Sequence, residues 1–112
     1  MLYRTLGKTG IKLSVLGYGT KYLPENESNG KRWISIDNSI KTMHRSFELG
    51  VNHIDTSYIY NNGLSETAIS QALKNWQDKV YLGTKTPTKL IKKPGDYRKY
   101  LEEQLSRLNV DY

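Results

Sequence analysis

The sequence predicts an α/β fold built around a parallel sheet, and three observations carry the prediction. Apolar runs of strand length alternate with stretches whose apolar residues recur at helical spacing. A hairpin-like segment precedes the first of these units. The strand-like runs end in Gly, Asp and Lys, as expected where functional groups gather at the C-terminal rim of a parallel sheet. About three strand–helix units are legible, joined by right-handed crossovers. They could open a doubly wound sheet or a (β/α)8 TIM-type barrel, and periodicity alone does not separate the two.

Taken in order, residues 2–14, "LYRTLGKTGIKLS", form two extended arms around "GKTG". "VLGYGT" (15–20) is the first strand, followed by a polar loop, "KYLPENESNGKRW". "SIDNSIKTMHRSFELG" (35–50) is a helix with Ile36, Ile40, Met43 and Phe47 on one face, Ser35 at its start and Gly50 at its end. "VNHIDT" (51–56) is the second strand. The second helix, "SETAISQALKNW" (65–76), is capped by Ser65 and buries Ile69, Ala72, Leu73 and Trp76. "VYLGTK" (80–85) is the third strand. The last helix, 96–109, is capped by Asp96 and turns Tyr97, Leu101, Leu105 and Leu108 inward. The predicted organisation is one domain over 1–112, with a hairpin at 1–14 and three βα units over 15–112.

Composition narrows the function classes. With 37% hydrophobic and 25% charged residues the chain is globular rather than disordered. No apolar run approaches the roughly 20 residues of a membrane span, and no signal-peptide pattern opens the sequence. The sequence contains no cysteine, which excludes disulfides and thiolate metal sites within it. The expected compartment is cytoplasmic, and no metal site is expected. A net charge of +6 raises the question of a polyanionic partner. The one dense basic run holds Lys85, Lys89, Lys92, Lys93, Arg98 and Lys99, with little aromatic interleaving. A solvated surface is the simpler expectation there, and no nucleic-acid partner is predicted.

Side chains alternate along a strand, so parity assigns faces. Val15, Gly17 and Gly19 share one face of the first strand, Val51, His53 and Asp55 of the second, and Tyr81, Gly83 and Lys85 of the third. If these faces point the same way, Gly19, Asp55 and Lys85 meet at one rim. Leu16, Ile54, Val80 and Leu82 are left to pack under the helices. The three glycines leave room for a planar ligand. A Lys beside an Asp is held as an ammonium ion, and a phenol close to that ammonium gives up its proton more readily than one in water. Tyr60, five residues beyond Asp55 on an Asn- and Gly-rich loop, is the candidate for such a phenol, a general acid if the fold brings it within reach. Each residue taken singly has an ordinary use: Asp55 as a turn cap, Tyr60 as one of nine tyrosines. His53 reads as a core histidine, and His44 as a surface or helix-packing residue.

Four segments in order, "YRTLGKTGIKLSVLGYGT", "GVNHIDTSYIYNNGLSE", "VYLGTK" and "LEEQLSRLNVDY", resemble the N-terminal part of the aldo-keto reductases. The resemblance implies a (β/α)8 barrel whose N-terminal hairpin closes the bottom. It also implies NADPH-dependent reduction of aldehydes or ketones, with NADH as the alternative cofactor and a small carbonyl compound as substrate. Of the family's Asp, Tyr, Lys and His tetrad, the motifs carry over Asp55, Tyr60 and Lys85. Tyr60 would donate the proton, while Lys85, paired with Asp55, would assist it and stabilise oxyanion charge. Gly19 and Thr20, with Asp55, match the contacts to the nicotinamide end of the cofactor. The family's histidine lies beyond "VDY". About three of eight units are covered, a whole barrel taking about 250 residues. The expectation is therefore a truncated piece that self-associates or joins a complementing C-terminal part, and that is inactive alone. Tyr22 and Trp33 on the first long loop are candidates for substrate contact. Other readings are a non-catalytic scaffold acting through protein interactions, or Lys85 as a Schiff-base nucleophile. "GYGTKY" is too incomplete to be a dinucleotide fingerprint.

Overall fold

The computed structural model describes residues 1–111. Strands β1 (Tyr3–Thr5) and β2 (Lys12–Ser14) pair antiparallel as the expected hairpin. The parallel sheet consists of β3 (Tyr18–Gly19), β6 (His53–Asp55) and β7 (Tyr81–Gly83), adjacent in that order. Helices α1 (Ile36–Glu48), α2 (Leu64–Ala72) and α3 (Gly95–Leu108) follow β3, β6 and β7 in turn. α2 packs against α1 on one side and α3 on the other. Strands and helices thus advance together without a reversal of order. That is how a (β/α)8 barrel winds, whereas a doubly wound sheet reverses at its switch point.

The core lies between the sheet and the helices. Ile54, in the middle strand, meets Met43 and Phe47 of α1, Ala68, Ile69 and Ala72 of α2, and Leu108 of α3 in one buried cluster. Ser35 caps α1 by accepting the Asn38 amide hydrogen at 3.4 Å. His44 packs between helices, its Nε2 2.8 Å from the Ala72 carbonyl oxygen and its ring tilted against Phe47 and Trp76. The hairpin β1–β2 is tied to the N-terminal end of β6. There the Asn52 side chain accepts from the Ser14 amide at 2.7 Å and donates to the Lys12 carbonyl at 2.8 Å. This end is opposite the one where Asp55 emerges. No helix among the described residues is long and apolar enough to cross a membrane.

Several local expectations are corrected. The polar stretch after β3 is not a loop but a second hairpin, β4 (Glu25–Ser28) with β5 (Lys31–Ile34). Asn29 and Gly30 both take positive φ, 51° and 72°, the turn that an Asn-Gly pair favours because its twist matches the strands it joins. The first parallel strand is two residues long, and Leu16 is exposed rather than packed under a helix. Its carbonyl accepts from the Ser14 hydroxyl in a bend that delays the strand. Ser65 does not cap α2. The helix is entered through left-handed Gly63, and Ser65 is buried with its hydroxyl donated to Thr20. Asp96 lies inside the first turn of α3, where its carboxylate accepts the Lys92 and Lys93 amides and is held below the usual carboxylate range by the first of these bonds.

The face that α3 buries keeps Leu108 of the expected residues but not Tyr97 or Leu101. Tyr97 and Leu101 point to solvent, and the residues turned inward are Gln104 and Leu108. Together with Leu73, Val80, Leu82 and Val110, Leu101 and Leu105 line an open groove beside β7.

One glycine fixes a close approach. A Cβ at Gly17 would sit 2.2 Å from the His53 ring nitrogen Nε2, so the half-buried imidazole fills the space that a side chain at 17 would occupy. Gly17 therefore seats a histidine rather than leaving room for a ligand. Gly17→Ala should lower stability by about 1–3 kcal/mol through overpacking, and His53→Ala in the same chain should return part of that loss. Urea unfolding of the three chains measures both effects.

Candidate active site

The register places Gly19, Asp55 and Gly83 side by side at the C-terminal ends of the three parallel strands. The parity expected from the sequence is the parity observed. Backbone bonds continue past the strand ends, from the Thr20 amide to the Asp55 carbonyl at 3.0 Å and from the Thr56 amide to the Gly83 carbonyl at 2.9 Å. The rim is thereby stiffened where the functional side chains leave it.

Lys85 stands two residues beyond Gly83. Its ammonium donates to the Asp55 carboxylate and to the Thr56 carbonyl, the latter at 2.8 Å. The same nitrogen lies 5.3 Å from the centroid of the Tyr60 ring, within cation–π range. Asp55, Tyr60 and Lys85 are thus brought together as the sequence predicts.

Tyr60 owes its position to the residues after it. Asn61, Asn62 and Gly63 have φ values of 51°, 55° and 86°, three consecutive left-handed residues that turn the chain back into α2. Asn tolerates this region better than most residues and Gly enters it freely, which explains the "NNG" run. The Asn61 side-chain amide anchors the turn by donating to the Thr20 carbonyl at 3.2 Å.

Gly19 and Thr20 play different parts. The position a Cβ would take at Gly19 has nothing within 4 Å, and at Gly83 it meets only Asp55 Oδ1 and the Ile54 carbonyl, both at 3.9 Å. The floor of the mouth is flat and open there. Thr20 is fully buried, with its hydroxyl 3.1 Å from the Asp55 carbonyl and 2.7 Å from the Ser65 hydroxyl. Its side chain supports the strand end from behind. Tyr22 and Trp33 both lie exposed around the second hairpin.

Below the rim runs a polar network that sequence reasoning missed. Glu66 is completely buried, yet it accepts hydrogen bonds from Thr84 at 2.8 Å and Gln104 at 3.0 Å and pairs with Arg107 at 3.3 Å. Arg107 also lies over the Tyr58 ring, with its guanidinium carbon 4.1 Å from the centroid. Tyr58 donates its hydroxyl hydrogen to Glu103 at 2.7 Å, which pushes the phenol above its ordinary pKa. The sequence did carry a signal. Glu66 falls three residues before Ile69 and seven before Leu73, on the apolar side of α2, where an ionisable residue has to find a partner.

Parallel strands in sequential order, outer helices and a polar rim at the C-terminal ends define the opening part of a (β/α)8 barrel. The model of the aldo/keto reductase family matches residues 15–112. L-galactose dehydrogenase from Arabidopsis thaliana is 33% identical over 97% of this chain, which spans 35% of that protein. The holo structure of an aldo-keto reductase from Bacillus halodurans superposes with a TM-score of 0.81 and 26% identity, over all of this chain and 38% of its own. An aldo/keto reductase from Klebsiella pneumoniae, solved with NADP and acetate, gives 0.72 and 25% over 90% of this chain and 33% of its own. The chain belongs to the aldo/keto reductase family, and it spans about a third of the length of these relatives.

The ion pair at the rim is half in water, with Lys85 49% and Asp55 55% exposed. Pairs so solvated contribute little to folding. Lys85→Met should therefore change the unfolding free energy by no more than about 1 kcal/mol, a limit that urea titration of the variant checks directly.

Proposed function

We propose that this chain supplies the proton-delivering half of a carbonyl reductase site. It would act on aldehydes or ketones with NADPH, or NADH in its place, as the hydride source. The observation that carries the proposal is the Lys85 ammonium, held by Asp55 and Thr56 and lying over the ring of Tyr60 beside the open floor at Gly19. The open floor fits a flat nicotinamide ring, because no side chain rises from Gly19 and Gly83 adds none. The NADP bound in the Klebsiella relative supports the choice of cofactor. When bound, such a cofactor supplies the hydride.

The chain's own groups would do the rest. Tyr60 gives its phenolic proton to the carbonyl oxygen as the carbon is reduced. Lys85 places positive charge beside the Tyr60 ring, where it would steady the negative charge that develops as the proton is passed on. Asp55 keeps Lys85 pointed at the ring rather than at solvent. Gly19 lets the cofactor approach closely, and Thr20 holds the Asp55 backbone from behind.

The open groove between β7 and α3 bears on how the site works. An apolar face lined by Leu82, Leu101 and Leu105 next to an unpaired strand edge invites a partner. We propose that a complementing C-terminal part of the barrel, or else a second copy of the chain, covers it, and that turnover needs this cover. Native mass spectrometry identifies the assembly, and oxidation of NADPH with a panel of aldehydes measures its turnover. In that assembly Tyr60→Phe should lower kcat about 100-fold or more while NADPH affinity stays within about twofold. Unchanged kcat in Tyr60→Phe would refute Tyr60 as the proton donor.

A further inference from the structure

We infer that Glu66 is the positioning residue of this site, one buried carboxylate that sets Lys85 and Tyr60 in register with each other. The inference rests on the reductase reading for its consequence, but not for its geometry. Glu66 leaves no surface to solvent and lies on α2, which begins immediately after the Tyr60 turn. From there it reaches two structures that arrive from different parts of the chain.

One arm runs to Lys85. Glu66 Oε1 accepts from the hydroxyl of Thr84, the residue before Lys85, at 2.8 Å. The same oxygen accepts from Gln104 Nε2 at 3.0 Å, and that amide group also donates to the Lys85 carbonyl at 3.1 Å. The strand end is therefore held both through its side chain and through its backbone. From that fixed backbone the Lys85 side chain bends back to Asp55.

The other arm runs to the Tyr60 turn. Glu66 Oε2 pairs with Arg107 Nη1, which donates to the Tyr58 carbonyl at 3.2 Å. The guanidinium passes close to the turn at Gly63, where a Cβ would lie 2.9 Å from Nη1. Gly63 closes the left-handed turn that begins with Asn61. The segment carrying Tyr60 is thus gripped before the tyrosine, at Tyr58, and passed closely after it, at Gly63.

A carboxylate accepts at both oxygens, whereas an amide accepts at one and donates at the other. Glu66→Gln keeps the shape of the side chain but turns a donor toward either Arg107 or the Thr84–Gln104 pair. One arm is then weakened, because either Arg107 or Gln104 faces a donor in place of an acceptor. A shift of about 1 Å between reacting groups costs on the order of 100-fold in rate, and it leaves distant cofactor contacts alone. The signature is a loss of kcat of about 10- to 100-fold in Glu66→Gln, with KM for NADPH unchanged.

The test reads geometry and turnover separately, in the assembled protein with lysine and tyrosine selectively 13C-labelled. Nuclear Overhauser contacts between the Lys85 ε-methylene and the Tyr60 ring should be present in the wild type and lost in Glu66→Gln. Gln104→Met removes the amide with little change in volume and should weaken the same contacts. Glu102→Gln, which alters only the exposed pair with Arg98 and touches neither arm, should keep them. If Glu66→Gln does not fold, Gln104→Met decides alone. Folded Glu66→Gln and Gln104→Met that retain both the contacts and kcat would overturn the inference. A wild type that reduces no carbonyl compound would refute the reductase reading, and the Lys85–Tyr60 contacts would still decide whether Glu66 holds the two residues together.

Discussion

The burial of Glu66 is the constraint around which this chain is arranged. Removing a carboxylate from water costs several kcal/mol unless charge and hydrogen bonds are supplied in its place. The structure supplies them from Thr84 at the end of β7 and from Gln104 and Arg107 of α3, so one side chain draws three elements to a point. The inward face of α3 follows from this. Gln104 and Arg107 must turn toward α2, and the apolar stripe of Tyr97 and Leu101 is carried round to solvent.

The rim above this network is built on the opposite principle. Asp55 and Lys85 stay half in water, where their attraction adds little to folding but fixes a direction for the ammonium. Stability is kept below, in the dry cluster of Met43, Ile54, Ile69 and Leu108 and in the satisfied polar groups around Glu66. No buried side-chain nitrogen or oxygen among the described residues lacks a hydrogen-bond partner. The open floor at Gly19, with the lysine and the phenol beside it, is left free for chemistry.

How much of this was legible in the sequence depended on which force dominated each segment. Strand parity survived because Gly19, Asp55 and Gly83 sit in register in a parallel sheet buried from behind, where a one-residue slip would expose Ile54. The Asp55, Tyr60 and Lys85 cluster followed from that parity and from the motif spacing. The β4–β5 hairpin was missed because "ENES" and "KRWI" bury only Ile34, so no apolar alternation marked them; the Asn29–Gly30 pair alone gave the signal. Ser65 and Asp96 look like helix caps, yet Ser65 is drawn to a tertiary partner, Thr20, and Asp96 binds back to the Lys92 and Lys93 amides just ahead of the helix. Apolar spacing likewise turned Tyr97 and Leu101 inward, whereas the polar contacts of Gln104 and Arg107 share with Leu108 in orienting that helix.

The most direct measurement follows the fate of the hydride. NADPH carrying deuterium at C4 should be incubated with the assembled protein and an aldehyde, and the alcohol product examined by mass spectrometry and NMR. Deuterium on the carbinol carbon, absent when Lys85→Met replaces the wild type, is the predicted result. Bound cofactor with no transfer, or transfer that is indifferent to Lys85, would contradict proton delivery by the lysine, the aspartate and the phenol at the strand ends.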